Sequence, residues 1–200
     1  MCALNKKSIR LVCLVDVPVD SQLIIRSIRN EENVRKWMYS DHMISEKEHF
    51  NWLEKVRHDD TQIVFAVLDD NSRAVGVVSV NAINKYHKRC DWAYYLTETS
   101  RGGLGSALEF TFLNFIFEFL DIEKLNCEVI EGNDAVVKMH KKFAFVDEGF
   151  RRENIIKSGK RLGVNFLGLT KNDWYDSRDK IFEKYHAVFN KFDINIEYNK

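Results

Sequence analysis

The chain has 200 residues, 45% hydrophobic and 30% charged, enough for one domain, or a domain with an appendage, around a sizeable core. Lys+Arg and Asp+Glu balance at 30 each, which excludes the global basic field of a nucleic-acid binder. Four scattered cysteines (Cys2, Cys13, Cys90, Cys127) form no CxxC, and no apolar run nears the roughly 18 residues of a membrane span, so a cytoplasmic protein with reduced thiols, no metal site and no membrane contact is expected.

In chain order, SIRLVCLVD (8–16) reads as a first strand, closed by Pro18, the only proline. SQLIIRSIRNEENVRKWM (21–38) carries helical apolar spacing at Leu23, Ile24, Ile28, Val34 and Met38, with a break expected near Asn30. ISEKEHFNWLEKVRHD opens with Ser45 and Glu48, the spacing of a capping box, and continues helically through Phe50, Leu53 and Val56. QIVFAVLDDNSRAVGVVSVNAI reads as a hairpin around Asp-Asp-Asn-Ser, and CDWAYYLT as a further strand. A helix follows from about Gly103 to Leu120, then a strand KLNCEVI, a helix NDAVVKMHKKFAF, and two strands around Ser158-Gly159. From Trp174 the apolar positions Ile181, Phe182, Tyr185, Phe189 and Phe192 predict an amphipathic helix that packs onto the domain or onto a twin subunit in a homodimer. The early hairpin does not alternate with helices, so the order implies an α/β (α+β) fold with a mixed sheet rather than a doubly wound one. The expected division is 8–172 for the domain and 173–200 for a C-terminal helical extension.

The loop SRGGLGSA between the aromatic strand and the long apolar helix concentrates Gly102, Gly103 and Gly105. Glycines allow a tight bend and close approach to the backbone, and the helix start leaves amides and a positive dipole end free, so the loop suits an anion. Arg101 adds charge. A phosphate-binding P-loop needs Lys-Ser/Thr after the second glycine, where Ser106-Ala107 stand; a dinucleotide fingerprint needs GxGxxG in an early βαβ unit, whereas this loop comes after about a hundred residues of other structure and runs on without the third glycine into Glu109 and Phe110. Neither motif fits.

The loop resembles motif A of the GCN5-related N-acetyltransferase (GNAT) superfamily, Gln/Arg-x-x-Gly-x-Gly/Ala after the fourth strand, with Gly103 and Gly105 in the glycine places and Ser100 as a departure in the first. NDAVVKMHKKFAF resembles motif B: Asn133, Val136, Met139, Lys142 and Phe145 match, while His140 stands where Tyr is common and Ala144 where Gly is. The resemblance covers roughly 8–170. It implies the GNAT fold, a mostly antiparallel central sheet flanked by helices, and acetyl-CoA as co-substrate. For that co-substrate it implies Tyr95 and Leu96 on the strand, Arg101, Gly102, Gly103, Leu104, Gly105 and Ser106 at the loop, and Asn133 and Lys142 in motif B.

Acetyl transfer from a thioester to an amine needs a base for the amine, donors for the developing oxyanion and a proton for the departing thiolate. His140 inherits the candidacy of the family's Tyr as proton donor, and a histidine can fill it near neutral pH. Ser79, ordering a water, and Asp91 are the candidates for the base. Each has a plainer reading: a helix-surface histidine, a sheet hydroxyl, a strand-edge charge.

The front segment 28–56 resembles the RimJ/RimL-like branch, and within it PseH-type enzymes, which acetylate the 4-amino group of UDP-4-amino-4,6-dideoxy-N-acetyl-β-L-altrosamine in pseudaminic acid synthesis for flagellin glycosylation. That resemblance implies an amino sugar nucleotide held by Arg29, Met38, Tyr39, His49, Trp52, Tyr94 and Glu128. Trp37, Phe50 and Trp52 could instead be core residues. Other acceptors (a protein N-terminus, an antibiotic, another amine) and a non-catalytic acyl-CoA sensor remain alternatives.

Overall fold

The computed structural model describes residues 6–100 and 102–198. Its elements run β1 (Lys7–Cys13), α1 (Val19–Asn30), α2 (Glu32–Arg35), α3 (Glu46–His58), β2 (Ile63–Leu68), β3 (Ala74–Asn84), β4 (Arg89–Leu96), α4 (Leu104–Phe119), β5 (Lys124–Ile130), α5 (Asp134–Lys142), β6 (Val146–Lys157), β7 (Lys160–Thr170), α6 (Lys171–Phe189) and β8 (Phe192–Glu197). The helix expected over 21–38 does break at Asn30, because Glu31 adopts an extended ψ of 137°. Ser45 and Glu48 form the capping box reciprocally, starting α3 where its spacing placed it.

The strands form one sheet in the order β6-β7-β5-β4-β3-β2-β1-β8. β4 and β5 are parallel, as are β1 and β8; the other neighbours are antiparallel. Alternation along β2 shows how the sheet is buried on both faces. Phe65 and Val67 join the core under α4 and α6, whereas Val64, Ala66 and Leu68 join the core under α1 and α3. That double burial explains the continuous apolar run of β2, which one-sided alternation would not produce.

The tail departs from its expected form. α6 ends at Phe189, and residues 192–197 are a strand paired in parallel with β1 rather than more helix. Phe192, expected on the helix's apolar face, is a buried strand residue. α6 lays Trp174, Ile181 and Phe189 into the same core as α4; the Trp174 indole donates to Asn114 Oδ1 at 3.0 Å, and Phe189 stacks on Phe110 at 4.6 Å.

Candidate active site

β4 and β5 pair only at Arg89–Lys124, Cys90–Leu125 and Asp91–Asn126. Beyond those pairs β4 stays bonded to β3 through Leu96, and β5 stays bonded to β7 through Ile130. Each strand follows its other neighbour, so the two part and a wedge opens inside the sheet. The backbone groups on the parted edges face the wedge instead of each other. The cavity there, about 270 Å³, is lined on one side by Trp92, Tyr94 and Leu96 and on the other by Cys127 and Val129, with His140 at its wall.

The glycine loop stands at the end of β4. Gly103 is the N-cap of α4 in the left-handed region (φ 99°), no side chain caps the helix, and its first turn holds no acidic residue. The amides and positive dipole end of α4 are therefore available to an anion. Gly103 is needed twice, since a Cβ there would also stand 2.4 Å from Val188 Cγ1 of α6. A Cβ at Gly102 (φ 104°) would face open space, and one at Gly105 would meet the Tyr94 hydroxyl at ordinary contact distance. Leu104 differs from its expected role: its side chain is buried in the core, leaving only its backbone for a ligand. Ser106 lies within reach of Met139, Asn133 lines the wedge at the start of α5, and Lys142 is an exposed residue at the far end of α5. Arg101 and Cys2 lie outside the described residues. A strand edge leading to uncapped helix amides fits a long thiol arm ending in a diphosphate, as coenzyme A has.

His140 is not the helix-surface residue of its plainer reading. It is 3% exposed, and its Nδ1 lies 2.7 Å from Oε1 of Glu109, which is fully buried on α4. The rings of Trp92 (5.3 Å), Phe145 (5.2 Å) and Tyr94 (6.5 Å) enclose it. The end of α5 sets Phe145: Ala144 takes a left-handed φ of 66°, where motif B has Gly, and the Phe145 amide turns back to the His140 carbonyl at 3.3 Å. Burial works against a charged imidazole here; the Glu109 carboxylate and then Cys127 overcome it, pushing His140 up to about 10. Burial also raises Glu109, opposed by His140. The sequence signal for Glu109 is a carboxylate between Leu108 and Phe110 in a largely apolar helix.

Strand alternation sends the other β4 residues to the opposite face. There Arg29, His49, Trp52, Ser79 and Tyr95 line a second cleft of about 420 Å³ under α1 and α3. Tyr95 lines both cavities and is the wall between them. Ser79 donates to the Ala93 carbonyl at 3.3 Å and accepts from Asn81 at 3.0 Å. Asp91 accepts from Asn126 at 2.9 Å and lines neither cavity. Among the residues expected to hold an acceptor, Met38, Tyr94 and Glu128 line the wedge rather than this cleft, and Tyr39 donates its hydroxyl to Glu128. Trp37 and Trp52 are half-buried, Phe50 is exposed, and His42, His58, His87 and His186 are all exposed.

The segment 36–45 between α2 and α3 passes over both cavities, with Met38 in one and His42 and Ile44 in the other. The hairpin of β6 and β7 holds it. Lys157 donates to the carbonyls of Arg35, at 3.2 Å, and Met38, and Asp41 accepts from the Ser158 amide at 3.1 Å.

Residues 12–146 match the model of the acetyltransferase (GNAT) domain family. Spermidine N(1)-acetyltransferase of Vibrio cholerae is 23% identical over 68% of this chain and 79% of its own length. The SPbeta prophage-derived uncharacterized N-acetyltransferase YokL of Bacillus subtilis is 28% identical over 62% of this chain and 70% of its own. Among solved structures, spermidine N-acetyltransferase from Vibrio cholerae in complex with CoA and spermine superposes with a TM-score of 0.76 at 20% identity, covering 84% of this chain and 98% of that one. Both the wedge between β4 and β5 and the uncapped glycine turn lie at or inside the matched span, and the chain belongs to the GNAT acetyltransferase family as an N-acetyltransferase that uses acetyl-CoA.

Proposed function

We propose that this N-acetyltransferase acetylates the amine of a nucleotide-linked amino sugar, of the UDP-4-amino-4,6-dideoxy-N-acetyl-β-L-altrosamine type, by direct transfer while both substrates are bound. One observation carries the choice of acceptor. The acceptor-side cleft sets Arg29 and His49 around half-buried Trp52 and Tyr95, and both Arg29 Nη1 and His49 Nε2 are buried without a hydrogen-bond partner. The buried unpaired guanidinium nitrogen of Arg29 favours a ligand that brings oxygens, as a sugar and its phosphates do. His49, held toward its neutral form by burial and bonded to the Gln22 backbone through its other nitrogen, offers Nε2 as an acceptor for a sugar hydroxyl, and the aromatic walls suit a ring face. A polyamine, the substrate class in the name of the Vibrio cholerae relative, would want free carboxylates. Glu48 is the acidic residue lining this cleft, and it already accepts from the Ser45 amide and hydroxyl and pairs with His42.

In this reading β4 backbone groups hold the carrier arm along the wedge and polarise the thioester carbonyl. The amine enters from the Tyr95 side and loses its proton to a water ordered by Ser79, while His140 supplies a proton to the departing sulfur. A thiol-release assay with acetyl-CoA against UDP- and dTDP-linked amino sugars, spermidine, spermine, peptides and aminoglycosides tests the assignment. Turnover should be highest on a nucleotide amino sugar. Silence on every sugar nucleotide, with turnover on spermidine, would transfer the protein to the polyamine enzymes.

A further inference from the structure

We propose that Glu109 is a positioning residue for acetyl transfer: from α4 it holds the His140 ring so that Nδ1–H donates to its carboxylate and the protonated Nε2 is presented to the wedge. The inference rests on the reading of His140 as proton donor and deepens it. The contact is 2.7 Å between two residues 3% and 0% exposed, so water does not compete for either. The imidazole nitrogens lie on opposite sides of the ring; with Nδ1 turned to α4, Nε2 is turned away from it, on the Cys127 side that lines the wedge.

Packing alone gives no reason for a carboxylate here. Its helix neighbours Leu108, Phe112 and Leu113 are core residues, and replacing a buried ion pair by apolar side chains is commonly neutral or stabilising. Oε2 of Glu109 is buried with no partner at all, so the site retains a desolvated charge that stability does not require.

The titratable groups facing the ring are Glu109 from α4, Cys127 from β5 and Tyr94 from β4; Lys141 and Lys142 of its own helix point to solvent. With Glu109 in place the imidazole is pushed up to about 10, near the range of the thiol it would serve, about 8.5 for an ordinary thiol. As the carbon–sulfur bond of the thioester breaks, the Nε2 proton passes to the sulfur, giving free thiol and a neutral imidazole still bonded to Glu109 through Nδ1–H. The imidazole takes a proton back from water when the wedge empties.

The test is Glu109→Gln, which keeps shape and an acceptor oxygen but removes the charge. On the most active amine of the panel above, the alkaline limb of the kcat–pH profile should fall well below 10, because burial then acts on the ring against Cys127 without the Glu109 carboxylate. The acetyl-CoA KM should stay within about threefold, since the contact lies off the carrier's path. An unchanged alkaline limb overturns the proposal. His140→Gln separates the two layers: if it keeps full turnover, the proton-donor reading fails, whereas lost turnover beside an unshifted Glu109→Gln profile removes only the role of Glu109. Nitrogen-15 NMR of His140 in the unaltered protein needs no variant to fold. Both ring nitrogens should be protonated at pH 7.5, and a neutral ring there would contradict the proposal.

Discussion

The two faces of β4 are built from the same eight residues and have opposite character. Trp92 and Tyr94 look toward a closed set of rings, where His140 and Glu109 satisfy each other away from water. Tyr95 looks toward a cleft in which Arg29 and His49 keep unpaired nitrogens. On the first face the His140–Glu109 pair is made before any ligand arrives; on the second the Arg29 guanidinium lacks an acceptor. In the proposed reading the first face meets the carrier and the second recognises the acceptor. In that reading the proton donor His140 and the acceptor cleft lie on opposite sides of one strand.

Changes on the closed face should cost most. Glu109→Ala leaves a buried imidazolium without its partner and should destabilise the fold by about 3–5 kcal/mol in urea denaturation. The pH dependence has a fixed sign. The folded state raises both His140 and Glu109, so it binds more protons than the unfolded chain; the His140 contribution is complete below about pH 6.5 and lost as pH rises through about 10, and the Glu109 contribution is complete below about pH 4.5 and lost as pH rises above it. Glu109→Gln should flatten that slope.

On the open face the expected effects are kinetic. Arg29→Ala should raise the acceptor KM at least about tenfold with the acetyl-CoA KM unchanged, the signature of a lost hydrogen bond to a charged donor. Equal rises in both constants would mean that the faces are coupled. Ser45→Ala removes one half of the capping box and should lower stability by about 1 kcal/mol, read as a shift in the urea midpoint. The smallest effect belongs to Ala144→Gly. Relief of the left-handed φ should add about 0.5–1 kcal/mol, and turnover should be unaffected because the Phe145 contact is retained.

What the sequence disclosed follows the range of each interaction. The capping box, the hairpin turns and the glycine N-cap are local, and Ser45, Glu48 and Gly103 stand where local rules place them. β8 was legible but missed: Phe192, Ile194 and Ile196 alternate with period two, yet Phe192 also continues the helical spacing of Phe182, Tyr185 and Phe189. The wedge had no local signal at all. It exists because β4 and β5 are drawn apart by β3 and β7, partners that only the assembled sheet supplies. The same is true of Glu109 and His140, 31 residues apart and joined only when α4 and α5 pack. Asp91, singled out for preceding the loop, turned out to be engaged by Asn126, since strand alternation pointed it away from His140.

The most direct measurement is a crystal structure with coenzyme A bound. The diphosphate should sit on the amides of Gly102–Ser106, the arm should lie between Trp92–Leu96 and Cys127–Ile130, and the sulfur should lie within hydrogen-bonding distance of His140 Nε2. A carrier in the Arg29–His49 cleft, or a sulfur remote from His140, would contradict the division of labour between the two faces of β4.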